Sequence, residues 1–232
     1  MTLRTEDRPI VRGRRERPGD KLPVNETGLD SQPLRFTPGM WAVILFISSE
    51  AMFFGALFTA YFYLRGRVPD WEPVFQRCIA ATCEKPTFNA TTEIFGVSLP
   101  IVAINTVLLI TSSFTMQFAV SAIKKGDRRS MIRWMMPTII LGALFLSGQG
   151  YEYTRLGFLP TNGVFAGIFF TLTGFHGAHV TGGVLMNIYV TLRAAKGQFT
   201  ARRHLAVEAA SIYWHFVDIV WIGLFFTIYV IG

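Results

Sequence analysis

The sequence predicts an all-α integral membrane protein, a bundle of five transmembrane helices with the N-terminus cytoplasmic and the C-terminus outside. Three observations carry that prediction. Of the 232 residues, 51% are hydrophobic and only 16% charged, against about a quarter charged in an average soluble domain. Five apolar stretches, about 39–64, 94–123, 131–153, 162–193 and 205–231, each reach the roughly 20 helical residues needed to cross a hydrocarbon core. Basic side chains gather on alternate connections between them. With the tail inside, seventeen of the 22 Lys and Arg fall on inside segments, and only Arg65, Arg67, Arg77, Lys85 and Arg155 fall outside. That bias sets orientation in membrane proteins. The net charge of +7 is therefore topological and does not point to nucleic acid.

Residues 1–37 read as a polar basic tail ahead of a membrane domain spanning 38–232. The first 35 residues hold Arg12, Arg14, Arg15 and Arg17 and four of the eleven prolines. They lack the apolar core of a cleaved signal peptide, and they are too polar to offset their own ordering. An extended cytoplasmic segment is expected there.

In the first span, Glu50 stands eleven residues past Gly39, about 16 Å along the helix and so near mid-bilayer. Ionisable groups at that depth cost about 2.5–3.5 kcal/mol on insertion scales and are functional candidates by default. Hydrogen bonding to a neighbouring helix is the plainer reading, because one acid alone does not make a transport chain.

The connection to the second span carries Cys78 and Cys83 on the expected outer side. A close pair in an oxidising compartment predicts a disulfide, with two free thiols as the alternative. Closing so short a loop stabilises on the order of 2 kcal/mol in the chain-entropy picture. Two cysteines cannot complete a four-ligand zinc site. Glu93 and the Tyr151-Glu152-Tyr153 cluster lie near span ends and are expected at the outer water boundary, where Tyr commonly anchors.

The fourth span contains Gly174-Phe175-His176-Gly177-Ala178-His179. Gly174, Ala178 and Gly182 recur every fourth residue, a small-residue stripe suited to close helix approach. His176, His179, Gly183 and Asn187 mark a second stripe. Two histidines three residues apart could ligate a metal, or one could hold a haem, but hydrogen bonding across the bundle is the commoner use. In the fifth span, Glu208, Ser211, His215 and Asp218 fall within an arc of roughly 80°, with Trp214 and Trp221 on another face. The polar arc must look into protein. The histidines of the fourth span and groups of partner subunits are its expected partners, making a buried polar seam that fixes helix register, with a proton relay as the alternative.

Redox motifs are missing. The sequence has no Cys-x3-Cys pair with a His for dinuclear copper, no Cys-x-x-Cys-His for covalent haem, and no span dense in histidine. No metal site and no catalytic residue is expected in this chain.

Three segments carry a resemblance to cytochrome c oxidase subunit III: Leu45-Phe46-Ile47-Ser48-Ser49-Glu50-Ala51-Met52-Phe53-Phe54, Gly174 to Val180, and Tyr213-Trp214-His215-Phe216-Val217-Asp218-Ile219-Val220-Trp221. Weaker similarity runs through Gly126-Asp127-Arg128-Arg129 and Gly150-Tyr151-Glu152-Tyr153. The likeness covers about residues 38–232 in family order, and three long motifs in order are highly specific. The resemblance implies a proton-pumping, oxygen-reducing complex of the aa3 type in a bacterial inner membrane. Haem and copper would sit in partner subunits and none in this chain. It implies contact with oxidase subunits I and II, with a small subunit IV or a supercomplex partner as further neighbours, and bound phospholipid. Glu50 matches the family's membrane-buried carboxylate near the face toward the catalytic subunit. His176, His179, His204, Glu208, His215 and Asp218 match its polar positions in the last two spans. Two N-terminal spans of seven-helix members are replaced here by the polar tail, so the chain looks like the five-helix bacterial form. Readings kept beside this one are subunit III of a bo-type ubiquinol oxidase, a nitric oxide reductase accessory protein, a stand-alone proton-coupled transporter and a haem-binding membrane protein.

Overall fold

The computed structural model describes residues 37–68, 97–156, 158–161, 163–200 and 203–231, with backbone pairs at 78–79, 82–83 and 93–94. Residues 1–36 of the expected tail lie outside the described residues.

Among the described residues, five helices are long and apolar enough to cross a membrane. Helix α1 (Pro38–Arg65) opens on Thr37, whose side-chain oxygen accepts from the Met40 N–H at 3.4 Å, with Pro38 in the first turn. There the missing proline N–H costs nothing, because first-turn donors lack helical partners anyway. Helix α2 (Leu99–Lys124) begins five residues later than the apolar run at 94 suggests. The earlier residues instead form a short antiparallel pair, β3 (Glu93–Ile94) with β4 (Val97–Ser98), and Pro100 sits in the first turn of α2. Another such pair, β1 (Cys78–Ile79) with β2 (Thr82–Cys83), precedes it. Neither pair forms a layer of the fold.

The α2–α3 reversal shows how sequence makes a tight turn. Gly126 takes φ +80°, a conformation that costs glycine little and other residues much. Its N–H bonds Ile123 O at 2.9 Å, and the Asp127 N–H bonds Ala122 O at 3.0 Å, which together satisfy the last carbonyls of α2. Asp127 then caps α3 (Arg128–Arg155), accepting from the Ser130 N–H at 2.9 Å. That backbone donor, helped by the Ser130 hydroxyl, holds the Asp127 carboxyl below the usual carboxylate range. Helix α4 (Val164–Ala195) ends in the same motif, with Gly197 at φ +78°. Helix α5 (Leu205–Phe225) widens into a π-turn over Phe226–Val230.

Helices α2, α3, α4 and α5 pack in sequence, and α5 returns to α2, which closes a four-helix bundle; α1 lies against α4 and α5. Two tryptophans of α5 lock the closure. Trp214 is fully buried, and its indole N–H donates to Ser112 Oγ of α2 at 2.9 Å. It fills a slot between Gly142 of α3 and Gly183 of α4, where an added methyl would stand 2.7 and 2.8 Å from the indole. Trp221 donates to Thr106 Oγ1 of α2 at 3.0 Å and meets Phe145 of α3 edge-on at 4.7 Å. The small-residue stripe of Gly174, Ala178 and Gly182 is not the tight seam that its spacing suggests. A methyl on Gly174 would meet Tyr153 Oη at 3.9 Å and one on Gly182 would meet Tyr213 Oη at 3.6 Å, both ordinary contacts, and Ala178 is exposed. The close approach is made instead at Gly142 and Gly183, because a Trp faces them.

Candidate functional site

The polar residues singled out in the sequence do not form one seam. They separate into groups at different helix contacts.

The first joins α1 to α4. Phe53 and Phe54 of α1 approach the imidazole of His179, Phe54 edge-on at 5.0 Å between ring centroids. Helical spacing brings Glu50, one turn earlier, to the same imidazole, with Glu50 Oε2 2.9 Å from His179 Nε2. The other ring nitrogen, Nδ1, lies 2.7 Å from Phe175 O. A carbonyl only accepts, so Nδ1 carries a proton. Either Nε2 is also protonated against a carboxylate, or it accepts from a carboxylic acid; in both cases one proton is shared between Nε2 and Glu50. Tyr213 Oη of α5 donates to His179 O at 3.0 Å, and Phe46 stacks on that Tyr ring. The pair is not sealed: the side chains of His179 and Glu50 remain 17% and 22% exposed.

The second group joins α2 to α5. Ser113 donates to Asp218 Oδ2, and its oxygen lies 3.0 Å from His215 Nδ1. With the hydroxyl proton given to Asp218, the serine oxygen accepts Nδ1–H, so the order runs His215 to Ser113 to Asp218. Asp218 is 4% exposed, and its second oxygen has no hydrogen-bond partner among the described residues. Ser211 is buried on the same helix.

The third group lies at the end of the bundle where α5 begins. Glu208 Oε1 takes Lys124 Nζ at 3.0 Å and His204 Nε2 at 3.3 Å. Lys124 is over half exposed, so this is an interfacial cluster.

The expected partnership between the polar arc of α5 and the histidines of α4 is therefore replaced. His215 and Asp218 are met by α2, and His179 by α1. His176 is buried, with its ring 5.0 Å from Trp221 and 5.9 Å from Phe145. Neither of its nitrogens has a partner among the described residues, and the same holds for both amide atoms of buried Asn187. Glu152 is a further correction. It is 3% exposed and turned into the bundle, whereas Tyr151 beside it is exposed and Tyr153 hydrogen-bonds Thr173 at 2.7 Å. Glu152 lies on the inward face of α3, three residues before the end of the helix. Only the backbone of Glu93 is described. Ser113, which nothing in the sequence marks, and Tyr213, which stands there only as part of a family-like segment, complete the first two groups. Their signal was helical spacing opposite His215 and His179, which becomes readable only once the helix neighbours are known.

Among the described residues, no three of His, Cys, Asp and Glu come together as a metal site.

Comparison with known proteins gives the same family along nearly the whole membrane domain. The profile described as cytochrome c oxidase subunit III matches residues 33–232. Cytochrome c oxidase subunit 3 of Thermostichus vulcanus is 40% identical over 190 residues, 82% of this chain and 85% of that protein. The protein of the same name from Synechocystis sp. is 36% identical over 223 residues, covering 90% and 88%. That from Corynebacterium diphtheriae is 40% identical over 202 residues, covering 84% and 89%. With five membrane-length helices and matches of this extent, the chain belongs to the cytochrome c oxidase subunit III family.

Proposed function

We propose that the chain is the non-redox subunit III of an aa3-type cytochrome c oxidase in a bacterial inner membrane, N-terminus cytoplasmic and C-terminus outside. In this reading it packs on catalytic subunit I, contacts subunit II, binds phospholipid and supports proton uptake and oxygen access. Haem and copper belong to the partner subunits. The observation that carries the reading is the Glu50–His179 pair, hydrogen-bonded at 2.9 Å yet still partly exposed beside α1. An acid–base pair at mid-span depth is costly against hydrocarbon, so its open side calls for a protein or head-group neighbour. In this reading Glu50 is the carboxylate near the face toward the catalytic subunit. The apolar flank of α1 around the pair, with Leu45, Phe46, Met52 and Phe53 exposed, suits a large protein or lipid contact. Oxygen partitions into apolar surroundings, so such a flank favours its delivery. The charge bias of the connections supports the orientation.

Tagged purification in mild detergent, with a visible haem spectrum and mass spectrometry of the accompanying chains, tests the identity of the complex. Haem a with a large catalytic subunit and a dinuclear-copper subunit is expected. Haem b or o without the copper subunit would favour a bo-type quinol oxidase, and a stable, colourless lone chain would reopen the transporter reading. Glu50→Gln tests the role of the pair: it keeps shape and removes the acid. Assembly should be retained while turnover lifetime or proton pumping falls; unchanged values for both would make Glu50 structural.

A further inference from the structure

The cysteine pair of the α1–α2 connection has no part in the oxidase reading. Strands β1 and β2 are antiparallel, with Cys78 directly opposite Cys83 and Ile79 opposite Thr82. Directly opposed residues of an antiparallel pair have Cα atoms about 4.5–5.5 Å apart, whichever of the two alternating kinds of pair they form. A disulfide requires Cα atoms roughly 4.4–6.8 Å apart. Register therefore does for these two residues what spacing along the chain cannot. Ladders of two residues per strand are too small to hold themselves together in water, and a covalent closure would add the constraint that such a ladder lacks. These are the only two cysteines of the chain, so no other thiol of the subunit competes.

We propose that Cys78 and Cys83, placed opposite each other across the β1–β2 ladder, form a disulfide that staples the α1–α2 connection on the outer face of the membrane. The proposal rests on the orientation argued above, which places that connection in an oxidising compartment. Formation is a thiol–disulfide exchange. One thiolate attacks a protein disulfide donor of that compartment, and the resulting mixed disulfide is resolved by the second thiolate. One S–S bond forms in the subunit, and the donor leaves as a dithiol. Two electrons and two protons pass from the cysteine pair to the donor.

The test uses the assembled oxidase in sealed right-side-out vesicles, a membrane-impermeant maleimide, an impermeant phosphine reductant and the intact mass of the subunit. The expected result is no adduct without reductant and two adducts after it, with Cys78→Ser giving one adduct without reductant. Two adducts without reductant would overturn the disulfide and leave the orientation standing. Two adducts without reductant, but only after the vesicles are opened, would overturn both. Labelling that needs opening and reductant together would support the bond and overturn the orientation.

Discussion

Helix α1 and the four-helix bundle beside it solve the membrane problem differently. In the most apolar window of α1 only 6% of residues are buried within the chain, against 50% in α5. Phe54 and Tyr61 are its buried side chains. It is held at one end by Tyr61 Oη and Arg65 Nη2, which donate to the carbonyls of Thr227 and Ile231 at 3.4 and 2.9 Å, and near its middle by Glu50 on His179. The bundle, in contrast, is locked by large side chains in fitted slots. In lipid, apolar surface alone does not drive helices together, so packing detail and hydrogen bonds must do it. The bundle uses both in its interior. Helix α1 uses a few polar ties and leaves most of its surface for other partners.

The largest expected effect comes from breaking the bundle at its tightest point. Gly183→Ala puts a methyl 2.8 Å from the Trp214 indole and should cost about 1–3 kcal/mol, as overpacking does. The matching change in α1, Gly55→Ala, meets nothing within 4 Å and should be neutral or slightly stabilising. Thermal unfolding of the two variants in detergent checks the contrast, and equal losses would remove the distinction between locked bundle and docked helix. Should Gly55→Ala hinder only assembly with the partner subunits, the distinction sharpens, since α1 is then an interface. Next in size is Trp214→Phe, which deletes the donor to Ser112 and part of the volume in the slot. A loss of roughly 1–3 kcal/mol is expected, read by the same unfolding measurement. Ser113→Ala removes the hydroxyl between His215 and Asp218 and should cost about 1 kcal/mol; no change would mean that α2 does not depend on that bridge. Lys124→Ala comes last. Its partner Glu208 keeps His204 and the lysine is largely solvated, so a loss of only about 0.2–1 kcal/mol, shrinking with added salt, is expected.

Much of this arrangement was legible before any coordinates. Membrane-length apolar runs announce the five helices, and the offset of Trp214 and Trp221 from the polar arc of α5 announces two faces with different duties. What stayed illegible is which helix meets which face. Ser113 is one hydroxyl among several in α2, and only the antiparallel register of α2 with α5 brings it to His215. The same holds for Gly183. Small-residue spacing favoured Gly174, Ala178 and Gly182, but tight contact depends on the size of the opposing side chain, and Trp214 lies elsewhere. Glu152 shows the limit of judging depth by distance from a span end: rotation of the helix about its axis, not position along it, turns that carboxyl inward. The tail escapes this test, since residues 1–36 lie outside the described residues.

The single proton held between Glu50 and His179 has an electrical consequence. Moving it from one partner to the other exchanges a neutral acid and base for an ion pair without changing the charge of the site. The site therefore carries no net charge in either arrangement, and only the direction of its dipole depends on which partner holds the proton.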